Sequence, residues 1–528
     1  MNEQPCDVEA VYRVYRTASG SVRGRDIGDG ITAVLGIPYA AAPFGVRRFR
    51  EPQSVPAWTG IRDCTDFGPI APQSAELPGS PVWRPGDEDV LTLNVWVPEG
   101  PGSNARPVFF WIHGGANTFG SSAQPDFDGT ALARAGLVVV SCNFRVGFEG
   151  FGHVPGFPDN RGLLDQIAGL RWVRQNIAAF GGDPGNVTVA GHSSGGSSAA
   201  CLMGMKQTRG LFHRVIAHSV PNVFYTVELA AAVTEQVAAQ AGVAPTTEGL
   251  LSLSPEALVA ASDKAAALCM AEPITEVHAF APVIFQPVVD GEVLPQNPLQ
   301  AFAAGAAREV DLLACHALEE HWFLHAVGAI REVTTEAELA DFAEALQLPP
   351  HLFDGYRALM PDAPPLDRYL AVFGDAQFGE YTTRLAEHHV RAGGRAYLAR
   401  FARKRGKARP WHTADIPFAF GNLDAPGAHF LIGGIPDNHD RALSDRMLQS
   451  WADFATTGHP GWPPVTTAAT PVKYWMVPVD HLAADDTCLV RALWKDIRFN
   501  VLHPSRATTE PRSQADSGCA GSPQDPSS

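Results

Sequence analysis

The segment Asn186–Gly196, NVTVAGHSSGG, is the basis of the fold that we predict for this chain. Its first residues, NVTVA, favour a buried strand because β-branched side chains pack well on a pleated sheet. The next five, GHSSG, match Gly-x-Ser-x-Gly, the pattern of a sharp turn from a strand into a helix. Glycines two positions before and after Ser193 let such a turn close without a Cβ clash. The pattern predicts an exposed serine nucleophile, although glycine-flanked serines also occur in ordinary loops.

Segments on the N-terminal side of this turn alternate between strand and helix patterns. Apolar runs at Val108–His113 (VFFWIH) and Leu137–Cys142 (LVVVSC) predict two further buried strands. Between the second of these and Asn186–Gly191, the segment Leu163–Phe180 has apolar residues at helical spacing. Strands that alternate with helices predict an α/β fold with a large, mostly parallel central sheet flanked by helices.

The rest of the chain continues this alternation after an interruption. Alanine-rich sequence at about 221–281 predicts a helical insertion, and Val310–Cys315 and Ala396–Phe401 predict further strands. We therefore expect one domain over residues 1–503. Residues 504–528 lack aromatic and almost all aliphatic side chains, which predicts a disordered C-terminal tail.

Composition excludes several classes of protein. The 528 residues carry a net charge of −16, with 45% hydrophobic and 18% charged residues, so the chain can bury a large core and is not disordered as a whole. The negative charge disfavours nucleic acids and anionic membranes as partners. The N-terminal sequence MNEQPCDVEAVYRVYR has no apolar segment typical of a signal peptide, and no apolar run is long enough to span a membrane. We expect a soluble, cytoplasmic protein.

Cysteine usage predicts neither a disulfide framework nor a metal centre. The eight cysteines are sparse for this length and include no CxxC pair. The chain therefore has no sequence pattern that calls for a metal or an organic cofactor. Nothing in the sequence predicts its oligomeric state.

A second glycine-rich segment, His113–Ala116 (HGGA), follows the predicted strand VFFWI. Enzymes that transfer acyl groups need backbone N–H donors aimed at a developing oxyanion, and a loop of this type supplies them in serine hydrolases. Alone, the segment is slightly more typical of a plain glycine turn. Its position before the serine turn at Ser193 fits the chain order of the α/β-hydrolases.

Several longer segments resemble the type-B carboxylesterase family, also called the carboxylesterase/cholinesterase family. The resemblance extends over about residues 20–500, with its motifs in the order of the family. The segments are GIPYAAAPFGVRRFREPQ (36–53), EDVLTLNVWVP (88–98), PVFFWIHGGANTFG (107–120), NFRVGFEGF (143–151), DNRGLLDQIAGLRWVRQNIAAFGGDPGNVTVAGHSSGG (159–196), WHTADIPFAFGN (411–422) and LSDRMLQSWADFATTGHP (443–460). The resemblance implies an α/β-hydrolase fold in which helical insertions form the pocket.

The resemblance also implies a Ser-Glu-His catalytic triad. Ser193 stands at the family's nucleophile and His412 at its catalytic histidine. Glu320 matches the acid, but His321 replaces the glycine that usually follows, so a slip of one residue to Glu319 stays open. The implied oxyanion donors are the backbone N–H groups of Gly115, Ala116 and Ser194.

The implied activity is hydrolysis of small to medium carboxylic esters through an acyl-enzyme, without a cofactor. A specialisation for carbamates or lactones is an alternative within the same chemistry. A different class of function is also open, because adhesion proteins that have lost the serine share this fold. The presence of serine, acid and histidine together favours the enzyme.

Other positions depart from the family or stand near its site. His192 replaces the glutamate usual before the nucleophile, and we expect it to pack beside the site rather than act as the base. Asn117 replaces an aromatic residue, either as a polar group at the pocket mouth or as a solvated loop amide. Ser219 corresponds to a serine near the catalytic histidine. Trp83 is a candidate substrate contact, with core or pocket wall as the alternative.

Overall fold

The fold is described from a computed structural model that covers residues 11–74, 81–99, 105–486 and 488–505. The predicted tail, 504–528, lies outside these residues except for its first two positions. The predicted single domain over 1–503 and the predicted disorder of the tail stay predictions. In the part of the chain described, no helix is both long and apolar enough to cross a membrane.

Fifteen strands occur within the described residues. They are β1 (Tyr12–Arg16), β2 (Ser21–Asp26), β3 (Ile31–Pro38), β4 (Ile61–Asp63), β5 (Thr92–Pro98), β6 (Arg106–Ile112), β7 (Val138–Cys142), β8 (Gly182–His192), β9 (Arg214–His218), β10 (Tyr225–Thr226), β11 (Val288–Val289), β12 (Asp311–Ala317), β13 (Ala396–Phe401), β14 (Val472–Trp475) and β15 (His481–Ala483).

The same residues form seventeen α-helices. They are α1 (Thr130–Arg134), α2 (Gly147–Phe151), α3 (Arg161–Asn176), α4 (Ser194–Gly204), α5 (Val227–Ala241), α6 (Thr247–Leu251), α7 (Pro255–Cys269), α8 (Pro298–Ala303), α9 (Glu320–Ala326), α10 (Glu336–Ala345), α11 (Pro350–Leu359), α12 (Pro365–Gly374), α13 (Glu380–Arg391), α14 (Ile416–Phe420), α15 (Ala428–Ile432), α16 (Asn438–Thr457) and α17 (Leu489–Trp494). A π-helical turn, Asp375–Gly379, joins α12 to α13.

Thirteen of the described strands form one sheet, in the order β1-β2-β3-β5-β7-β6-β8-β9-β12-β13-β14-β15 with β4 beside β2. The seven strands from β7 to β14 run parallel, and the outer pairs are antiparallel apart from β2 and β4. The carboxyl ends of β6, β8, β9, β12 and β13 therefore meet at one edge of the sheet, which is where open α/β sheets bind ligands.

Alternation along the central strands builds a core on each face of the sheet. In β6, Phe110 packs into the cluster on one face, whereas Phe109 and Trp111 pack on the other with Trp451 of α16. Successive strand side chains point to opposite faces, so a strand buried on both faces is apolar throughout. This explains why VFFWI shows no polar alternation.

The predicted elements agree with this architecture, with shifts at their ends. The predicted helix Leu163–Phe180 ends as an α-helix at Asn176, because the chain tightens into a 3₁₀ turn over Ile177–Phe180 and then takes a left-handed glycine, Gly181 (φ 77°). In the predicted insertion at 221–281, α5, α6 and α7 are present, and α5 packs against α7.

Candidate active site

Ser193 occupies the turn between β8 and α4 in a strained conformation. Its backbone has φ 58° and ψ −127°, a combination that non-glycine residues rarely adopt. Its N–H donates a hydrogen bond to the carbonyl oxygen of His218 at 3.0 Å, which fixes the turn to β9. Ser193 is half-buried, whereas its neighbours His192 and Ser194 are buried. The turn thus leaves the serine half-buried on an otherwise buried corner.

The glycines on either side of Ser193 are required by contacts of backbone with backbone. A Cβ on Gly191 would lie 2.3 Å from the carbonyl oxygen of Gly195, and a Cβ on Gly195 would lie 2.2 Å from that of Ile112. Real Cβ atoms do not approach carbonyl oxygens so closely, and backbone cannot rotate away as a side chain can. Only glycine lets α4 begin this close to the end of β6.

The loop after β6 lies against the serine and turns its amides outward. A Cβ on Gly114 would lie 3.2 Å from Ser193 Cβ. The carbonyl oxygen of Gly115 accepts hydrogen bonds from the N–H groups of Thr118 and Phe119, at 2.9 and 3.0 Å. Because a trans peptide points its C=O and N–H in opposite directions, the N–H of Ala116 faces away from the loop interior.

Asn117 continues this loop in a left-handed conformation (φ 59°) that asparagine tolerates better than most residues. Its side chain is buried, and its Nδ2 donates to the carbonyl of Phe285 and to Gln286 Oε1, both at 3.3 Å. The alternative of a solvated loop amide was therefore wrong. Sequence could not reveal these partners, which lie more than 160 residues further along the chain.

His412 and Glu320 form a buried pair at the same edge of the sheet. His412 Nδ1 lies 2.5 Å from Glu320 Oε2, and the backbone N–H of His412 donates to the carbonyl of Glu320. Glu320 Oε1 accepts two further hydrogen bonds, from the N–H of Ala317 at 2.8 Å and from Ser219 Oγ at 2.7 Å. The carboxylate is thereby fixed on both oxygens, and it fixes one ring nitrogen of His412.

Glu319 points to a different environment from its neighbour. Its carboxylate pairs with Lys404 and with Arg409, whose Nη1 lies 2.8 Å from Glu319 Oε2. Its N–H donates to the carbonyl of Pro410. The geometry thus brings Glu320, and not Glu319, to His412. The histidine at 321 has not shifted the register.

Comparison with known proteins identifies the family of the chain. The model of the carboxylesterase family matches residues 12–476. The chain belongs to the carboxylesterase family. It is 34% identical to the para-nitrobenzyl esterase of Bacillus subtilis (strain 168) over 86% of this chain and 92% of that protein. It is 33% identical to the phenmedipham hydrolase of Pseudarthrobacter oxydans, over 85% and 90% of the two chains.

Solved structures give the same result for the fold. The carboxylesterase EST55 of Geobacillus stearothermophilus superposes with a TM-score of 0.79 at 32% identity, covering 91% of this chain and 99% of that one. A para-nitrobenzyl esterase superposes with a TM-score of 0.81 at 30% identity. The expected α/β-hydrolase fold is confirmed, and the protein is a carboxylic ester hydrolase.

In this carboxylesterase the ring of His412 is enclosed by other rings. The ring centroid of His192 lies 4.4 Å away, that of Phe378 4.5 Å and that of Phe323 6.3 Å. Burial lowers the pKa of His192 well below its usual value, so this ring is neutral. His192 Nε2 is buried and, among the described residues, has no hydrogen-bond partner. These contacts favour the predicted packing role of His192.

His321 fills the space beside the acid as an aromatic ring. It is fully buried and stacks on Phe373 with ring centroids 4.2 Å apart. Burial lowers its pKa to about 3, so it stays neutral. Where a glycine would leave the start of α9 uncovered, the imidazole packs α9 against α12.

Trp83 stands apart from these residues. It lines a cavity of about 280 Å³ together with Phe44, Arg48 and Glu88, and neither Ser193 nor any other member of the predicted triad lines that cavity. Its indole nitrogen is buried. This position favours Trp83 as part of the wall of that cavity over Trp83 as a substrate contact.

Sequence analysis missed one buried pair in this region. His218 Nδ1 lies 2.8 Å from Asp415 Oδ2, and both side chains are at most 1% exposed. With Cys315 they form a group whose potential ligand atoms lie within 4.8 Å of one another. Burial raises the pKa of the Cys315 thiol well above its usual value, which disfavours the thiolate that a metal needs. Asp415 lies within the quoted segment WHTADIPFAFGN, and that was the available signal.

Proposed function

We propose that Ser193, His412 and Glu320 form the catalytic triad of this esterase. The observation that carries this assignment is the 2.5 Å contact between His412 Nδ1 and Glu320 Oε2, beside a strained serine turn at the same sheet edge. Because Nδ1 is held by the carboxylate, Nε2 is the ring nitrogen available to the serine. The hydrogen bond selects the tautomer that a general base requires.

In the proposed reaction, Ser193 Oγ attacks the ester carbonyl while His412 accepts the serine proton. His412 then donates this proton to the leaving alkoxide, and an acyl-enzyme remains. Water then attacks the acyl carbonyl while His412 accepts a proton from it. His412 donates this proton to Ser193 Oγ as the carboxylic acid leaves. Glu320 holds the ring of His412 through Nδ1 and stabilises the imidazolium.

We propose the backbone N–H groups of Gly115, Ala116 and Ser194 as the oxyanion donors. The outward-facing N–H of Ala116 supports this assignment, as does the position of Ser194 as the first residue of α4, whose N–H has no acceptor within the helix. One such donor contributes about 3 kcal/mol of transition-state stabilisation in other hydrolases. Backbone donors held by positive φ angles need no reorganisation when charge develops.

The rings around His412 favour esters with an apolar alcohol group. Since His412 protonates the leaving alkoxide, that alkoxide must depart next to the imidazole, where Phe378 and Phe323 pack. Phe323 is half-buried, and its ring contacts the rings of Trp411 and Phe430, of which Phe430 is 52% exposed. The name para-nitrobenzyl esterase of a relative is consistent with an aromatic alcohol group. We propose small-molecule esters of this kind as substrates.

The test is to titrate the purified protein with a fluorescent organophosphonate and to measure hydrolysis of p-nitrophenyl acetate. We expect one equivalent of label on Ser193 of the wild type, and neither label nor turnover in Ser193→Ala. A folded Ser193→Ala protein that keeps wild-type turnover would contradict the assignment. Comparing benzyl acetate with methyl phenylacetate then tests the substrate class, because only the first has its ring on the alcohol side.

A further inference from the structure

The buried pair formed by His218 and Asp415 has no part in the proposed triad. A buried carboxylate is costly unless charges or hydrogen bonds compensate for lost hydration. Among the described side chains, the Asp415 carboxylate accepts one hydrogen bond, from His218 Nδ1 to Oδ2, and its other oxygen, Oδ1, is buried with no partner in the described residues. An apolar side chain would fill this space at a lower desolvation cost. We therefore looked for a role of the pair in what it connects.

His218 touches every segment that carries a member of the proposed triad. Its carbonyl oxygen accepts the hydrogen bond of Ser193 N–H. The residue after it donates to the carboxylate of Glu320. Its ring binds Asp415, which lies three residues after His412. The side-chain pair therefore ties the loop of the catalytic histidine to the strand that holds the serine turn and the acid.

The hydrogen bonds also determine the charge of the pair. His218 donates through Nδ1, and its Nε2 is buried with no partner among the residues described. An N–H group at Nε2 would be buried without an acceptor, so Nδ1 is the nitrogen that carries the donor hydrogen. Burial on its own raises the pKa of Asp415, but the hydrogen bond from His218 opposes burial, and the pKa of Asp415 lies below its usual value. The pair thus keeps the single negative charge of Asp415.

Most other titratable groups near the two loops are neutral. The groups that face them are Glu320, His192 and His321 around His412, and His218, His192 and Cys315 around Asp415. Burial keeps both His192 and His321 neutral and the thiol protonated. Asp415, whose pKa is lowered, therefore carries its charge beside neutral rings and a protonated thiol.

We propose that Asp415, oriented by His218, is a positioning residue for His412 that also supplies a second buried negative charge. Asp415 fixes the loop that carries the imidazole, and its charge stabilises the imidazolium formed in each half-reaction. This inference rests on the proposed function of His412. A charge in a buried site acts strongly on its surroundings because water screens it little.

The experiment is a pH profile of kcat/KM for p-nitrophenyl acetate between pH 5 and 9. Asp415→Asn keeps the shape of the side chain and removes its charge. Without that charge the imidazolium is less stable, so His412 gives up its proton at a lower pH. We expect the acid limb of kcat/KM to move about one unit to lower pH, and kcat at pH 8 to fall about tenfold.

Two substitutions at His218 separate charge from packing. His218→Asn retains a donor near the position of Nδ1 and should keep the acid limb of the wild type. His218→Leu leaves the carboxylate without its donor, so Asp415 takes up a proton and the limb should shift as in Asp415→Asn. Asp159→Asn is the matched control, because it removes a carboxylate paired with His153 at 3.1 Å outside this site.

The outcomes distinguish the inference from the function on which it rests. Each variant is first titrated with the fluorescent phosphonate, which reports a folded protein with a reactive Ser193. If Asp415→Asn and His218→Leu take the label but keep the wild-type limb, the inference is wrong and the triad stands. If Asp415→Asn does not fold, the two His218 variants decide in the same way. A wild-type protein that neither reacts with the label nor hydrolyses esters overturns the proposed function, and the inference with it.

Discussion

The two halves of the candidate site are built in different ways. The nucleophile half, from β8 to α4, is local: two glycines four residues apart, Gly191 and Gly195, meet across a single turn. The acid–base half is assembled from distant segments, with Glu320 and His412 separated by 92 residues. A local steric constraint produces a recognisable sequence motif. The partners in a long-range contact are far apart in the sequence and show no such motif.

Removing the charge of Glu320 tests the acid–base half of the candidate site most severely. Glu320→Gln should lower kcat by about 10³–10⁴-fold, because the amide no longer selects the tautomer of His412 or stabilises its imidazolium. Glu319→Gln is the neighbouring control and should change kcat by less than about threefold, since Glu319 pairs with Lys404 and Arg409 near the surface. Steady-state kinetics at pH 8 decide between them, and the reverse ranking would move the acid to Glu319.

Enlarging a glycine tests the local half. Gly195→Ala should destabilise the protein by about 3 kcal/mol or prevent folding, because its Cβ meets the carbonyl oxygen of Ile112 at 2.2 Å. Gly181→Ala, where a Cβ meets nothing within 4 Å, incurs only the strain of its positive φ, about 1 kcal/mol. Urea unfolding of both variants measures the difference. Equal stabilities would mean that steric closure does not define the turn.

Removing a support of the acid should have an intermediate effect. Ser219→Ala deletes the hydrogen bond to Glu320 Oε1 and leaves the bond from Ala317 N–H in place. Hydrogen bonds to charged groups contribute about 1.5–3 kcal/mol, so we expect kcat to fall about 10- to 100-fold. Ser219→Thr keeps the hydroxyl and is the matched variant. A kcat for Ser219→Ala within twofold of the wild type would show that Ser219 does not orient Glu320.

The smallest effect is expected at Asn117, in the loop after β6. Asn117→Gly keeps the left-handed conformation but loses two hydrogen bonds at 3.3 Å, and should lower kcat/KM about threefold. Asn117→Ala loses the same bonds and adds strain at φ 59°, so its loss should be larger. Kinetics with p-nitrophenyl acetate test the ranking. If both variants matched the wild type, the loop would be held without Asn117.

The same division explains what could be predicted from the sequence. The strand, turn and helix around Ser193 were predicted closely because backbone sterics fix them within a few residues. The choice between Glu319 and Glu320 needed the positions of Lys404 and Arg409, which no local pattern encodes. The pairing of His218 with Asp415 spans 197 residues and was missed entirely. Asn117 could not be assigned to the interior, because its partners belong to a distant loop.

The most direct test of the proposed site is a crystal structure of the protein after reaction with an organophosphonate. We expect phosphorus bonded to Ser193 Oγ and a phosphoryl oxygen within hydrogen-bonding distance of the N–H groups of Gly115, Ala116 and Ser194. We also expect His412 Nε2 beside the ester oxygens and its Nδ1 still bound to Glu320. An adduct on another residue, or a phosphoryl oxygen turned away from the loop after β6, would contradict the proposed site.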